Sequence, residues 1–117
     1  MELTFGATIR RLRTEKGLGL REFAAKIGLS PTYISKIERD EFDRPPAEKQ
    51  IRAMARVLGQ DADEFLALAQ RIPEDLNTIL KERQKEMAVL LRTANRMSEA
   101  ELKRLINRLE QQQKKPE

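Results

Sequence analysis

Apolar residues recur every three or four positions along most of the chain, the period of an amphipathic helix. Phe5, Ile9 and Leu12 mark one side of a helix over 4–16, which Gly17 ends. Leu20, Phe23, Ala24 and Ile27 mark a second over 20–27, with Gly19 in the cap position and Gly28 as its stop. Ile34 and Ile37 form the apolar seam of a third over 31–39. Ser30 can cap that helix, and Pro31 fits its first position, where the missing N–H has no partner anyway. Two prolines exclude a helix from the segment Asp-Glu-Phe-Asp-Arg-Pro-Pro, residues 40–46. Ile51, Met54, Ala55 and Leu58 predict a fourth helix over 47–58, ended by Gly59. Asp61 caps a fifth over 62–70 that carries Phe65, Leu66 and Ala69, and Pro73 opens a new unit.

The last third continues in helical period, with Leu76, Ile79 and Leu80, then Met87, Leu90, Leu91, Ala94 and Met97. Ser98-Glu-Ala-Glu101 is a capping box that starts a final helix bearing Leu102, Leu105, Ile106 and Leu109. The closing Gln-Gln-Gln-Lys-Lys-Pro-Glu is expected to fray, with a disordered tail at 114–117. The leucines are spaced too irregularly for a long coiled coil. The expectation is an all-α protein: a first domain over 1–70, then an interaction region of amphipathic helices over 71–113.

Composition narrows the chemistry. A chain of 117 residues holds one small domain and an appendage. It has no cysteine and no histidine, which excludes disulfides, thiolate catalysis and the common zinc sites, and removes the usual general base near neutral pH. Ser30, Tyr33 and Lys36 would make a catalytic trio only in a pocket able to shift their pKa values, and a short exposed helix offers none. No enzyme activity, cofactor or metal is expected. No apolar run approaches the ~20 residues of a membrane span, and the N-terminus lacks the apolar core of a signal peptide. The expected location is cytoplasmic.

Charge adds a direction. The whole chain carries +4, whereas Arg10 to Arg39 alone holds eight cations against three anions. The concentration is compatible with an ordinary solvated surface and with a polyanionic partner.

The second and third helices, joined at Gly28, satisfy several constraints together. Ala24 is small where two helices would cross, and Gly28 stands where the turn needs positive φ. Ile27, Leu29, Ile34 and Ile37 are apolar where the third helix must pack back, and its outer positions are polar. That is helix-turn-helix geometry, in which the second helix of the pair enters the major groove of DNA.

At this point the chain resembles a known family. "LREFAAKIGLSPTYISKIERDE", followed by "RPPAEKQIRAMARVLG" and "DADEFLALA", is similar to the Cro/repressor-type (Xre) helix-turn-helix family over about residues 3–70. The resemblance implies a five-helix lambda-repressor-like domain that binds an inverted repeat of double-stranded DNA as a homodimer, most often as a transcriptional repressor. Residue by residue, it implies base reading by Pro31, Thr32, Ser35 and Lys36, and contacts to the DNA backbone from Arg21, Tyr33, Arg39, Arg44 and Lys49. Tyr33 has a second reading, packing against the proline loop. Arg10, Arg11 and Arg13 are expected to be solvated. Two departures stand out: Gly19-Leu20 replaces a frequent Ser/Thr-Gln pair, which removes a phosphate anchor, and Asp40 replaces a frequent glycine.

The C-terminal stripes lack material for a core of their own, so they should bury against something. Self-association through Leu90, Leu91, Ala94, Leu102, Leu105, Ile106 and Leu109 suits two-fold DNA sites. The alternative is a hairpin folded back on the first domain. A protein effector such as a toxin or a peptidase is a further analogy, and an antitoxin or adaptor module is the rival to a DNA-binding role.

Overall fold

In the computed structural model, which describes residues 4–114, the order is α1 (Phe5–Glu15), α2 (Leu20–Ile27), α3 (Pro31–Glu38), α4 (Glu48–Leu58), α5 (Ala62–Leu68), α6 (Glu74–Glu82), α7 (Gln84–Asn95) and α8 (Glu99–Lys114). Among the described residues there is no strand. The chain divides into two compact units, Met1–Glu74 and Asp75–Glu117.

The first unit is built on the apolar faces read from the sequence. Phe5, Ile9, Phe23, Ala24, Ile34, Ile37, Ile51, Met54, Ala55, Leu58, Phe65, Leu66 and Ala69 make one buried cluster. Leu12, Leu20 and Ile27 are half-buried against it. Phe5 sits at a junction, meeting Phe65 edge-on with ring centroids 6.0 Å apart and Phe42 at 6.5 Å. Phe42 thus ties the non-helical 40–46 segment to the core. Each fully buried Phe or Ile side chain contributes ~1.5–3 kcal/mol of transfer free energy, which compensates for the thin, aliphatic composition.

Helix ends follow local chemistry. Thr4, Ser30 and Asp61 accept from the N–H groups of Ala7, Tyr33 and Glu64 and so cap α1, α3 and α5. At the start of α4, Ala47 has no capping oxygen, and Gln50 Oε1 instead accepts from the Ala47 N–H at 3.2 Å. The segment beyond α5 stays on the first unit through two hydrogen bonds. Arg71 Nε donates to the Pro46 carbonyl at 2.7 Å, and the Glu74 N–H donates to Glu48 Oε1 at 2.8 Å. That contact, followed by the Arg52 guanidinium, holds the Glu48 carboxyl below its ordinary pKa.

In the second unit none of the residues of α6, α7 or α8 is fully buried. The Ser98 capping box forms in both directions: the Glu101 N–H donates to Ser98 Oγ at 3.1 Å and the Ser98 N–H to Glu101 Oε1 at 3.0 Å. The tail expected over 114–117 does not start at 114: α8 continues across the glutamine run through Lys114. Glutamine and lysine are good helix formers, so nothing in 110–114 obliges a helix to stop. The remainder of the expected tail, 115–117, lies outside the described residues.

Candidate nucleic-acid interface

Three details fix where α3 lies. Gly28 adopts the left-handed conformation at φ 81°, and its N–H donates to the Ala24 carbonyl at 2.9 Å. The Leu29 N–H reaches the same carbonyl at 3.0 Å, so the chain reverses sharply between α2 and α3. Ala24 is fully buried, and its small side chain allows the close crossing; Ile34 and Ile37 bury the inner face of α3.

The outer face is left polar. Thr32 and Lys36 are exposed, and Pro31 and Ser35 are half-buried. A groove of about 610 Å³ runs between the start of α2 and the outer side of α3, and its lining includes Leu20, Arg21, Pro31, Thr32, Ser35 and Arg39. Three of the four expected base-reading residues and two of the five expected backbone contacts therefore share one surface. Lys36 lies one turn after Thr32 on the same helix. Arg44 is exposed in the proline segment, and Lys49 lines a different depression. Tyr33 is half-buried against the core cluster. Leu20, in the place of the frequent glutamine, is half-buried and packs on the same cluster.

The far end of α3 is held by groups the sequence reading passed over. Arg13 grips Glu38 in a two-pronged ion pair, Nε to Oε2 at 2.6 Å and Nη2 to Oε1 at 3.0 Å, and donates a third bond to the Leu18 carbonyl at 2.8 Å. The expectation that Arg13 is solvated is thereby corrected, since its side chain is 12% exposed and that of Glu38 6%. The hydrogen bond to Glu38 raises the arginine pKa, desolvation opposing it. The spacing hid this pair because its members are 25 residues apart in the chain.

Asp40 closes α3 in the left-handed region at φ 58°, and the Glu41 N–H bonds back to the Lys36 carbonyl at 2.9 Å. Its carboxylate accepts from the Gly6 N–H at 2.9 Å and from the Thr4 hydroxyl at 2.5 Å. Asp40 thus ends one helix and caps the start of another. Gly6 is the second missed residue: a Cβ there would strike the Ile37 carbonyl oxygen. Arg39, by contrast, is loosely engaged, with an exposed ion pair to Glu41 at 3.3 Å. Exposed pairs of this kind are worth little, so a phosphate can replace the carboxylate.

A helix-turn-helix family profile matches residues 9–65. SinR, the master regulator for biofilm formation in Bacillus subtilis, solved in complex with DNA, is 32% identical. That alignment covers 54% of this chain and 98% of the SinR chain, with a TM-score of 0.49. Residues 9–65 belong to the Cro/repressor-type helix-turn-helix family. The DNA-binding domain of the P22 C2 repressor is similar at 25% identity, over 56% of this chain and 86% of its own, with a TM-score of 0.50. The complex of SinR with SinI matches over 96% of this chain and 100% of that chain, at 22% identity and a TM-score of 0.50, a likeness of fold alone. No curated protein matches the chain. Membership makes this a DNA-binding transcription regulator rather than an enzyme. No helix among the described residues is long and apolar enough to cross a membrane.

Proposed function

We propose that the chain is a sequence-specific repressor that occupies an inverted-repeat operator as a homodimer. The observation that carries this reading is the groove in which Arg21, Pro31, Thr32, Ser35 and Arg39 meet on one exposed face. Thr32 and Ser35 offer hydroxyls to base edges, the threonine methyl suits a thymine methyl, and Lys36 suits guanine O6 and N7. Arg21, Arg39 and Arg44 supply phosphate contacts, which set register and make affinity fall with salt. Tyr33 contributes by holding α3 to the core. Occupying a promoter suffices for repression.

Dimerisation is assigned to the second unit. Leu90, Leu91, Ile106 and Leu109 are 45–55% exposed there, and Ala94, Leu102 and Leu105 are half-buried. Apolar stripes this open favour burial against a second copy. A different protein could occupy the same stripes, and SinR has itself been solved with SinI. Co-purification at fixed stoichiometry with no DNA footprint would favour that adaptor reading.

The test is binding of Ser35→Ala and Lys36→Ala to a cognate site. Each should lose roughly 1–3 kcal/mol of specific affinity, with an unchanged melting temperature, since neither residue is in the core. Binding equal to the parent protein would remove the base-reading assignment.

A further inference from the structure

A second concavity lies on the first unit, between the end of α2 and one side of α4. It is open, about 840 Å³, and shares no lining residue with the groove beside α3. Lys26, Lys49 and Arg56 stand around it, all exposed, and none of them makes an ion pair among the described residues. Two of the other charges on its rim, Glu48 and Arg52, are already engaged, and Glu74 also lines it. Glu48 accepts from Arg52 at 2.9 Å and from the Glu74 N–H at 2.8 Å. Arg52 also reaches Asp63 at 3.7 Å. Three uncommitted cations thus frame a floor formed by the half-buried Ile27, Leu29 and Ala53.

That combination separates two classes of polyanion. A nucleic-acid backbone uses the cations and gains nothing from an apolar floor. An acidic protein segment uses both, because an aliphatic or aromatic side chain can cover Ile27 and Leu29 while flanking carboxylates meet Lys26, Lys49 and Arg56. Lys49, expected from the family resemblance to meet a phosphate, stands on this rim rather than in the α3 groove. We propose that this depression is a docking surface for an acidic, amphipathic segment of another protein. The site lies away from the base-reading groove, so such a partner can be held while α3 is on DNA.

The full-length chain is titrated against a fluorescent peptide of alternating Asp/Glu and Leu, its Asn/Gln counterpart, and a non-specific DNA duplex. The parent should bind the acidic peptide and not the neutral one. In Lys26→Glu/Arg56→Glu the peptide affinity should fall at least about tenfold, with duplex affinity falling by a much smaller factor, the part that net charge alone requires. Lys26→Ala/Arg56→Ala, which keeps the surface free of new anions, should show a smaller loss in the same direction. The proposal is overturned if the peptide does not bind, if both variants bind it as the parent does, or if duplex affinity falls in parallel. The last result would assign the patch to the DNA backbone.

Discussion

One added carbon at Gly6 would collide with the Ile37 carbonyl oxygen and stand 2.8 Å from that of Glu38. Both are backbone atoms at the end of α3, so neither can move without moving that helix. Gly6→Ala is therefore expected to destabilise the first unit by roughly 2–3 kcal/mol, read as a lower melting temperature. Unchanged stability would mean that α1 and α3 are not held this close. Asp40 shows a residue doing two jobs. It pays the strain of φ 58° and returns two hydrogen bonds to the start of α1. Asp40→Gly should be nearly neutral, because relief of strain offsets loss of the cap. Asp40→Ala keeps the strain and loses the cap, and should cost about 1–2 kcal/mol more in chemical denaturation. Equal stabilities would contradict that division. Neither role could be read locally, since positions 6 and 40 meet only after the helices pack. At position 40 the sequence offered just an anion where a glycine is frequent.

At the scale of elements, the periodicity of apolar residues located the first five helices because each has one buried side. The first five lie close to their expected bounds, and Ser30-Pro31 starts α3 where capping chemistry requires. Contacts between elements were less legible. The Arg13–Glu38 pair joins α1 to α3, and a charged residue in a helical pattern does not announce its partner. The end of α8 was not legible in the sequence, because glutamines and lysines fit a solvated helix as readily as a frayed end. The start of α8 is a sharper case. The Ser98 N–H and then the Ser98 hydroxyl hold the Glu101 carboxyl below its usual pKa. A depressed carboxylate pKa means the cap contributes fully above the unfolded value and fades as pH falls through the folded one. Amide exchange in residues 102–106, measured relative to its intrinsic rate at each pH, should therefore quicken on acidification through the lower carboxylate range. Ser98→Ala should quicken it at neutral pH, by loss of about 1 kcal/mol. Glu101→Gln should remove the acid-dependent part. Exchange in the parent that does not respond to pH would show that the capping box contributes nothing to α8.

Taken whole, the molecule couples a self-sufficient unit to one that is not. The first buries a continuous core and presents two separate polar surfaces, the α3 groove and the α2–α4 depression. The second exposes the apolar stripes of α7 and α8. In the proposed homodimer each copy brings one α3 helix to the duplex, and the basic balance between Arg10 and Arg39 would draw them there. In the proposed reading, with Leu20 in place of a glutamine, phosphate anchoring falls to Arg21, Arg39 and the loop cation Arg44. The decisive measurement is selection of bound sequences by the full-length chain from a pool of random duplex DNA. The account predicts enrichment of an inverted repeat whose half-sites lie about one helical turn apart, ~34 Å. A bound pool indistinguishable from the starting pool would contradict it.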